Sequence, residues 1–245
     1  MYFLMRGRIF YPFSVVALLL LAPAAKAGTS WNPSDANASI TLSTTNFTND
    51  TASSAAGAAF AAVRGTNSPA KTNGKWHIEF QIKAFSGNYW IVGFADSSDS
   101  LSIFCGQSVD GVGAQNSALD SLMILYAGAS NVFFANTPNV NDIIALEVDI
   151  PNTLLWVENV TQATGWTNST GGFTGNPGAG IGGFAVPSLT TTGGVMPCWS
   201  GGSGNAVIMF TTASSLSGAV SSGFSAWESS SSAAMPTRTL LGLGQ

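Results

Sequence analysis

Residues 76–82 read Trp76-His77-Ile78-Glu79-Phe80-Gln81-Ile82, and their alternation decides the fold. In an extended chain successive side chains point to opposite faces, so Trp76, Ile78, Phe80 and Ile82 share one face and His77, Glu79 and Gln81 the other. The expectation is a strand with one face in a core and the other in water. Trp90–Ala95, Leu122–Tyr126, Asn131–Ala135, Asp142–Ile150, Thr153–Val157 and Ala206–Thr211 are further short apolar runs, set between Gly, Asn, Ser and Pro clusters. Runs of that kind between turn-forming residues are strands. The one helix candidate is Ala52–Val63, whose alanines suit equally a loop and a strand leading into Arg64-Gly65-Thr66. An all-β, two-sheet antiparallel sandwich is therefore expected.

The N-terminus carries a different signal. Arg6-Gly7-Arg8 precedes the apolar run Phe13 to Leu21, and Ala25-Lys26-Ala27 supplies small residues at the positions a signal peptidase requires. Residues 1–27 are expected to be a signal peptide, with the mature chain starting at Gly28 and secreted, periplasmic or at the cell surface. The apolar run is shorter than the roughly 20 residues a membrane-spanning helix needs, so no span is expected after cleavage. The chain has 8 basic and 12 acidic residues, a net charge of −4, and Arg6, Arg8 and Lys26 leave with the signal. Nucleic acids and anionic membrane surfaces require clustered Lys and Arg that the remainder lacks. After Trp227 the run Glu228-Ser229-Ser230-Ser231-Ser232-Ala233-Ala234 reads as a flexible tether. The expected organisation is signal 1–27, sandwich domain 28–227 and Ser-rich tail 228–245. In an oxidising compartment Cys105 and Cys198 could pair, or remain two buried thiols in their apolar runs; the sequence leaves both open.

Several motifs together resemble SPRY-like domains. Gly74-Lys75-Trp76-His77-Ile78-Glu79-Phe80 is similar to their GKWYFEV strand, and Trp90 to Ala95 to the strand that follows it. Gly106-Gln107-Ser108-Val109-Asp110-Gly111-Val112-Gly113 sits where such domains carry a Gly-rich segment. Asn141 to Ile150 followed by Thr153-Leu154-Leu155-Trp156 resembles their GDVIGVALDLDNGTLWF hairpin. Gly165-Trp166, Gly175-Asn176-Pro177-Gly178-Ala179-Gly180-Ile181-Gly182-Gly183 and Gly223-Phe224-Ser225-Ala226-Trp227 resemble signatures of the bacterial and phage branch. The chain departs from the pattern at Asn159-Val160-Thr161-Gln162, where the family often has a short Asn-Gly turn. The resemblance covers Trp31 to Trp227 and implies a concanavalin A-like jelly-roll sandwich that is usually a non-catalytic binding module.

Catalytic strands of concanavalin A-like glycoside hydrolases read Glu-x-Asp-x-x-Glu, and Glu147-Val148-Asp149-Ile150-Pro151-Asn152 approaches that pattern with Glu147 and Asp149 on one face. Asn152 stands where the second carboxyl belongs, and a carboxamide cannot supply the proton of acid/base catalysis. Gly178 to Gly183 has the G-x-G-x-x-G spacing, but a phosphate site needs a following helix, and Phe184-Ala185-Val186-Pro187-Ser188 is not helical; the glycines suit turns with positive φ. His77 is the only histidine, so any Ser-His-Asp arrangement must use it, and no G-x-S-x-G elbow is present. Asp96-Ser97-Ser98-Asp99 offers two carboxylates, which in a Ser-rich loop read as a turn rather than a calcium site. Among the seven tryptophans, Trp76, Trp90 and Trp156 fall on strands and read as core. Trp166, Tyr89 and the adjacent Asn88 lie in predicted loops and are the candidate ligand contacts, large rings offering apolar area with a polar edge. Sequons occur at Asn37, Asn46, Asn49, Asn159 and Asn168. The expectation is a lectin-like or peptide-binding module taking a glycan or protein ligand, with no catalytic residue, metal or cofactor. A degenerate glycoside hydrolase and a structural fibre or envelope component are the alternatives.

Overall fold

The computed structural model describes residues 30–43, 50–55, 61–66, 70–85, 90–116, 121–189 and 193–228. The expected signal peptide, tail residues 229–245, the candidate contacts Asn88 and Tyr89, and the sequons at Asn46 and Asn49 lie outside them. Among the described residues no helix is long and apolar enough to cross a membrane.

In chain order the strands are β1 (Ser30–Ala36), β2 (Ile40–Ser43), β3 (Asp50–Ser54), β4 (Ala61–Thr66), β5 (Lys75–Ala84), β6 (Trp90–Asp96), β7 (Val112–Asn116) and β8 (Leu122–Tyr126). They continue as β9 (Ala129–Phe134), β10 (Ile143–Asp149), β11 (Leu154–Asn159), β12 (Phe184–Ala185), β13 (Val195–Gly201), β14 (Ala206–Phe210) and β15 (Ser225–Ala226), with a 3-10 turn at Pro177–Ala179. One sheet has the order β1-β4-β13-β6-β7-β8-β9; the other runs β12-β11-β10-β5-β14-β3-β2, with β15 pairing parallel to the start of β5. All other strand pairings are antiparallel, which is the two-sheet sandwich the alternation called for. The helix candidate Ala52–Val63 is instead the end of β3 and the start of β4. Tertiary pairing overrides the weak helical preference of its alanines: Ala52 pairs with Val207 and Val63 with Trp199.

The core lies between the sheets. β5 contributes Ile78, Phe80 and Ile82, β6 contributes Trp90, Val92 and Phe94, and β10 contributes Ile144, Leu146 and Val148, all fully buried. The domain closes on Trp227, whose ring stacks on Phe94 at 5.4 Å between centroids and meets Trp76 edge-on at 6.1 Å. Trp76 is only half-buried, and Lys71 Nζ sits 4.1 Å above its ring. Burial lowers the Lys71 pKa, opposed by the negative charge of Glu228.

β6 does not alternate, because both of its faces are covered. Ile91 and Ala95 face away from the core and pack with Cys105, Leu125, Cys198 and Phe104 under the loop that follows β6. There Cys105 and Cys198 are joined as a disulfide with Cα atoms 6.1 Å apart. Gly93 lies on the same face, and a Cβ at this position would run into the Val112 carbonyl of β7. Replacing Gly93 by alanine is expected to destabilise the domain by about 1–3 kcal/mol through this backbone collision. Urea unfolding of the variant, with an unchanged slope and a lower midpoint, is the measurement that checks it.

Candidate functional site

The face of the eight-stranded sheet that points away from the core carries the only histidine. Register places His77 of β5 directly beside Glu147 of β10, with Glu79 two residues on and Glu158 on β11 beyond. His77 Nδ1 lies 2.9 Å from Glu147 Oε1, and Nε2 lies 3.2 Å from Glu79 Oε1. Both ring nitrogens thus face carboxylate oxygens, and only the imidazolium can donate to both. Burial disfavours that cation, but the two charge-assisted hydrogen bonds and the carboxylate charges outweigh it and raise the His77 pKa above its ordinary 6.5.

The face was expected to be wet, and here the structure corrects the sequence reading. His77, Glu79 and Glu147 have no exposure, and Gln81 is half-buried. Two loop segments cover them. Residues 212–224, between β14 and β15, bring the Ser217 and Gly218 amides to the Glu79 carboxylate at 2.7 and 2.6 Å, and the Ser221 amide to Glu147 Oε1 at 2.8 Å. Residues 160–183 supply the second cover. Thr167 locks this loop to β11 by accepting from the Val157 amide and donating its own amide to the Val157 carbonyl, which sets the Trp166 ring edge-on to His77 at 5.9 Å. Trp156, expected in the core, is fully buried but in this outer layer. Its indole donates to the Ile181 carbonyl, its ring meets Phe224 edge-on, and Gly183 leaves room for it.

Burial raises the Glu158 pKa, the Gly165 amide opposes that shift, and the charge of Glu147 adds to it. Glu147 Oε2 has no hydrogen-bond partner among the described residues. Asp149, on the same face, pairs with Lys75 at 2.8 Å and accepts from the amide side chain and backbone of Asn152. Burial raises the Asp149 pKa, but those bonds outweigh it and hold the carboxyl below its ordinary value. The residue that breaks the hydrolase-like motif, Asn152, thus caps the turn after β10. Glu147 accepts from the Ser221 amide and lies against His77, and Asp149 is held by Lys75 and Asn152.

The remaining sequence candidates resolve structurally. Asp96 accepts from the Ser98 backbone and hydroxyl and from the Gly193 amide, so the Asp96–Asp99 segment is a turn. Among the described residues no group of three His, Cys, Asp or Glu could hold a metal. In the glycine motif Asn176 caps the 3-10 turn, Gly180 and Gly182 take φ of +71° and +79°, and a strand follows rather than a helix. The Asn159–Gln162 segment, where the sequence departs from the SPRY-like pattern, ends β11 in a hydrogen-bonded network: Asn159 donates to Asp142 and Asn136, and Gln162 donates to Asp142. Asn159 has no exposure, which closes that sequon in the folded chain. Trp166 is half-buried against His77. The sequence missed the covered cluster; its only local trace is the Glu79–Glu147–His77 charge on two neighbouring strands.

Two antiparallel sheets packed in this order, closed by the Gly223–Trp227 segment, form a concanavalin A-like β-sandwich of the SPRY-like fold. No family model and no curated protein matches the chain. Among solved structures, the PSpry domain of TRIM65 is similar with a TM-score of 0.54 at 12% identity, covering 74% of this chain and 91% of that one. The SPRY domain of human HERC1 (TM-score 0.46, 15% identity, 74% and 97% covered) and stonustoxin (0.49, 18%, 74% and 28%) also align. At these identities the likeness is one of fold.

Proposed function

We propose that this chain is an exported, non-catalytic binding module of the bacterial and phage branch of SPRY-like domains, taking a protein, peptide or glycan ligand on its loops. The observation that carries this reading is the sealing of the His77–Glu79–Glu147 constellation. Every part of it is without solvent exposure, and three backbone amides already donate to the carboxylates. General acid/base catalysis requires a carboxyl within hydrogen-bond reach of substrate.

The ligand surface we favour is the end of the sandwich where β5 finishes. Asn139, Val140 and Asn141 are exposed there, Val140 to 45%, and Lys83 Nζ reaches Asn141 Oδ1 at 2.9 Å. Phe85 and Trp90, which bracket Asn88 and Tyr89 in the chain, belong to this end. An exposed apolar side chain ringed by carboxamides and one cation suits mixed apolar and polar contacts. Trp166, the third proposed contact, lies over His77, eight residues along β5 from Phe85 and so roughly 26 Å away. Tyr89→Ala and Trp166→Ala therefore locate the site. Loss of binding on glycan and peptide arrays in Tyr89→Ala alone, with an unchanged melting temperature, is the expected result. Loss in Trp166→Ala alone moves the site to the outer face, and no binding of any kind favours a structural component.

A further inference from the structure

We propose that Asn73-Gly74, in the turn that leads into β5, is a self-modifying site whose substrate is water: the Gly74 amide closes on the Asn73 side chain to a succinimide, and hydrolysis leaves aspartate or isoaspartate at position 73. Of the asparagines in the chain, only Asn73 precedes a glycine. The attacking nitrogen therefore belongs to a residue with no side chain to obstruct its approach. The fold itself requires glycine at 74: φ is +96°, and a Cβ there would lie 2.9 Å from Trp76 Nε1.

The turn holds the reacting groups together. The Gly74 amide donates to Asn73 Oδ1 at 2.7 Å, so the carboxamide is folded back over the peptide nitrogen that must attack it. Cγ is one C=O bond from that oxygen and lies at most about 3.9 Å from the nitrogen, so a small rotation of the carboxamide completes a near-attack geometry. Other asparagines turn the same oxygen further along the chain, Asn37 to the Ser39 amide, Asn159 to Gln162 and Asn168 to Thr170. Those bonds carry the carboxamide past the next peptide nitrogen; the bond at Asn73 holds it there. Asn73 is exposed, which admits the water and the base that the reaction needs.

In the first step the Gly74 nitrogen gives its proton to a solvent base and bonds to Cγ; the Cγ–Nδ2 bond then breaks, and the leaving nitrogen takes a proton from solvent and departs as ammonia. Water next opens the ring. Cleavage at Cγ restores the main chain and leaves an aspartate side chain, whereas cleavage at the original Asn73 carbonyl carbon leaves isoaspartate, with the main chain running through Cγ. No electron is transferred in either step. The Asn73 carbonyl accepts from the Trp76 indole at 2.8 Å, and Lys71 Nζ sits over the same ring. The new negative charge therefore arises beside the contacts that hold Trp76, and in the isoaspartate form the carbonyl that anchors the indole leaves the main chain. The site precedes β5, at the opposite end of that strand from the surface proposed for the ligand.

The test incubates the full chain, folded in a mildly alkaline buffer, beside the same chain unfolded in guanidinium, and follows conversion at every asparagine by peptide mass spectrometry with an isoaspartate assay. In the folded chain Asn73 is expected to convert faster than any other asparagine by roughly tenfold or more, because only there do the missing Cβ and the held geometry act together. It should also convert no more slowly folded than unfolded, and its peptide should contain isoaspartate. Asn73→Gln, which has to close a larger ring, should remove the isoaspartate from that peptide. Another asparagine leading in the folded chain, slower conversion of Asn73 folded than unfolded, or aspartate at 73 without isoaspartate overturns the proposal. All three of those outcomes are read on the wild-type chain, so the test stands even where the variant does not fold.

Discussion

Replacing Trp227 by alanine is expected to lower the unfolding free energy by about 3–5 kcal/mol, the range for truncating a fully buried large aromatic. Trp227 is 1% exposed and belongs to the central cluster although it lies at the very end of the domain. Its ring stacks on Phe94 of the opposite sheet and meets Trp76 of β5, so it bridges the two layers. Its backbone amide donates to the His77 carbonyl at 2.8 Å, continuing the β15 pairing. Removing the ring leaves a cavity between sheets that cannot collapse without shifting β5, the strand flanked by β10 and β14. Thermal or urea unfolding reads the loss; a change under about 1 kcal/mol, the size of an ordinary surface substitution, would remove Trp227 from the core. Truncation before Gly223 should be at least as damaging, whereas truncation after Glu228 should leave the transition in place.

The second large effect is expected at Cys105 and Cys198. We expect the protein to carry no free thiol and the paired form to be the native one. The bridge joins residues 93 apart, for which constraint of the unfolded chain gives a ceiling of about 4–5 kcal/mol. It ties the loop after β6 to β13, and the Cys105 amide also donates to the Ser200 hydroxyl at 2.9 Å, so part of that docking survives reduction. Cys198→Ser, or reduction, should therefore lower the unfolding midpoint strongly while the β-rich circular dichroism spectrum persists at low temperature. Free-thiol titration of unfolded, unreduced protein checks the pairing itself, and recovery of two thiols would contradict it.

What could be read from the sequence was whatever the chain writes locally. β5, β6, β8, β10, β11 and β14 are apolar runs bounded by turn residues, and each lies within about two residues of its expected position. β1 to β3 were not legible, because Ser-Trp-Asn-Pro-Ser-Asp-Ala and Asp-Thr-Ala-Ser-Ser carry no apolar alternation, and β4 was legible only as one of two readings; pairing makes them strands, β1 on β4 and β4 on β13, β2 on β3 and β3 on β14. β13 contains Pro197 yet lies inside its sheet between β4 and β6, against the usual confinement of proline to edges. The alternation in residues 76–82 assigned the faces of Ile78, Phe80 and Ile82 but misjudged what covers His77 and Glu79. Their cover comes from residues 217–221, some 140 positions downstream, and no periodicity within a strand encodes it. The departure at Asn152 was legible because it is a property of one side chain: a carboxamide in place of a carboxyl.

The account stands most directly on whether the domain binds without turning anything over. The decisive measurement presents the mature chain to glycan and peptide arrays and, in parallel, to β-glucan, galactan and small glycoside reporters, with Glu147→Gln and Tyr89→Ala alongside the wild type. The account predicts a saturable ligand, no hydrolysis by any of the three proteins, and loss of the ligand in Tyr89→Ala with its melting temperature kept. Turnover by the wild type that disappears in Glu147→Gln would contradict it, because it would mean that the carboxylate buried beneath residues 217–221 reaches substrate.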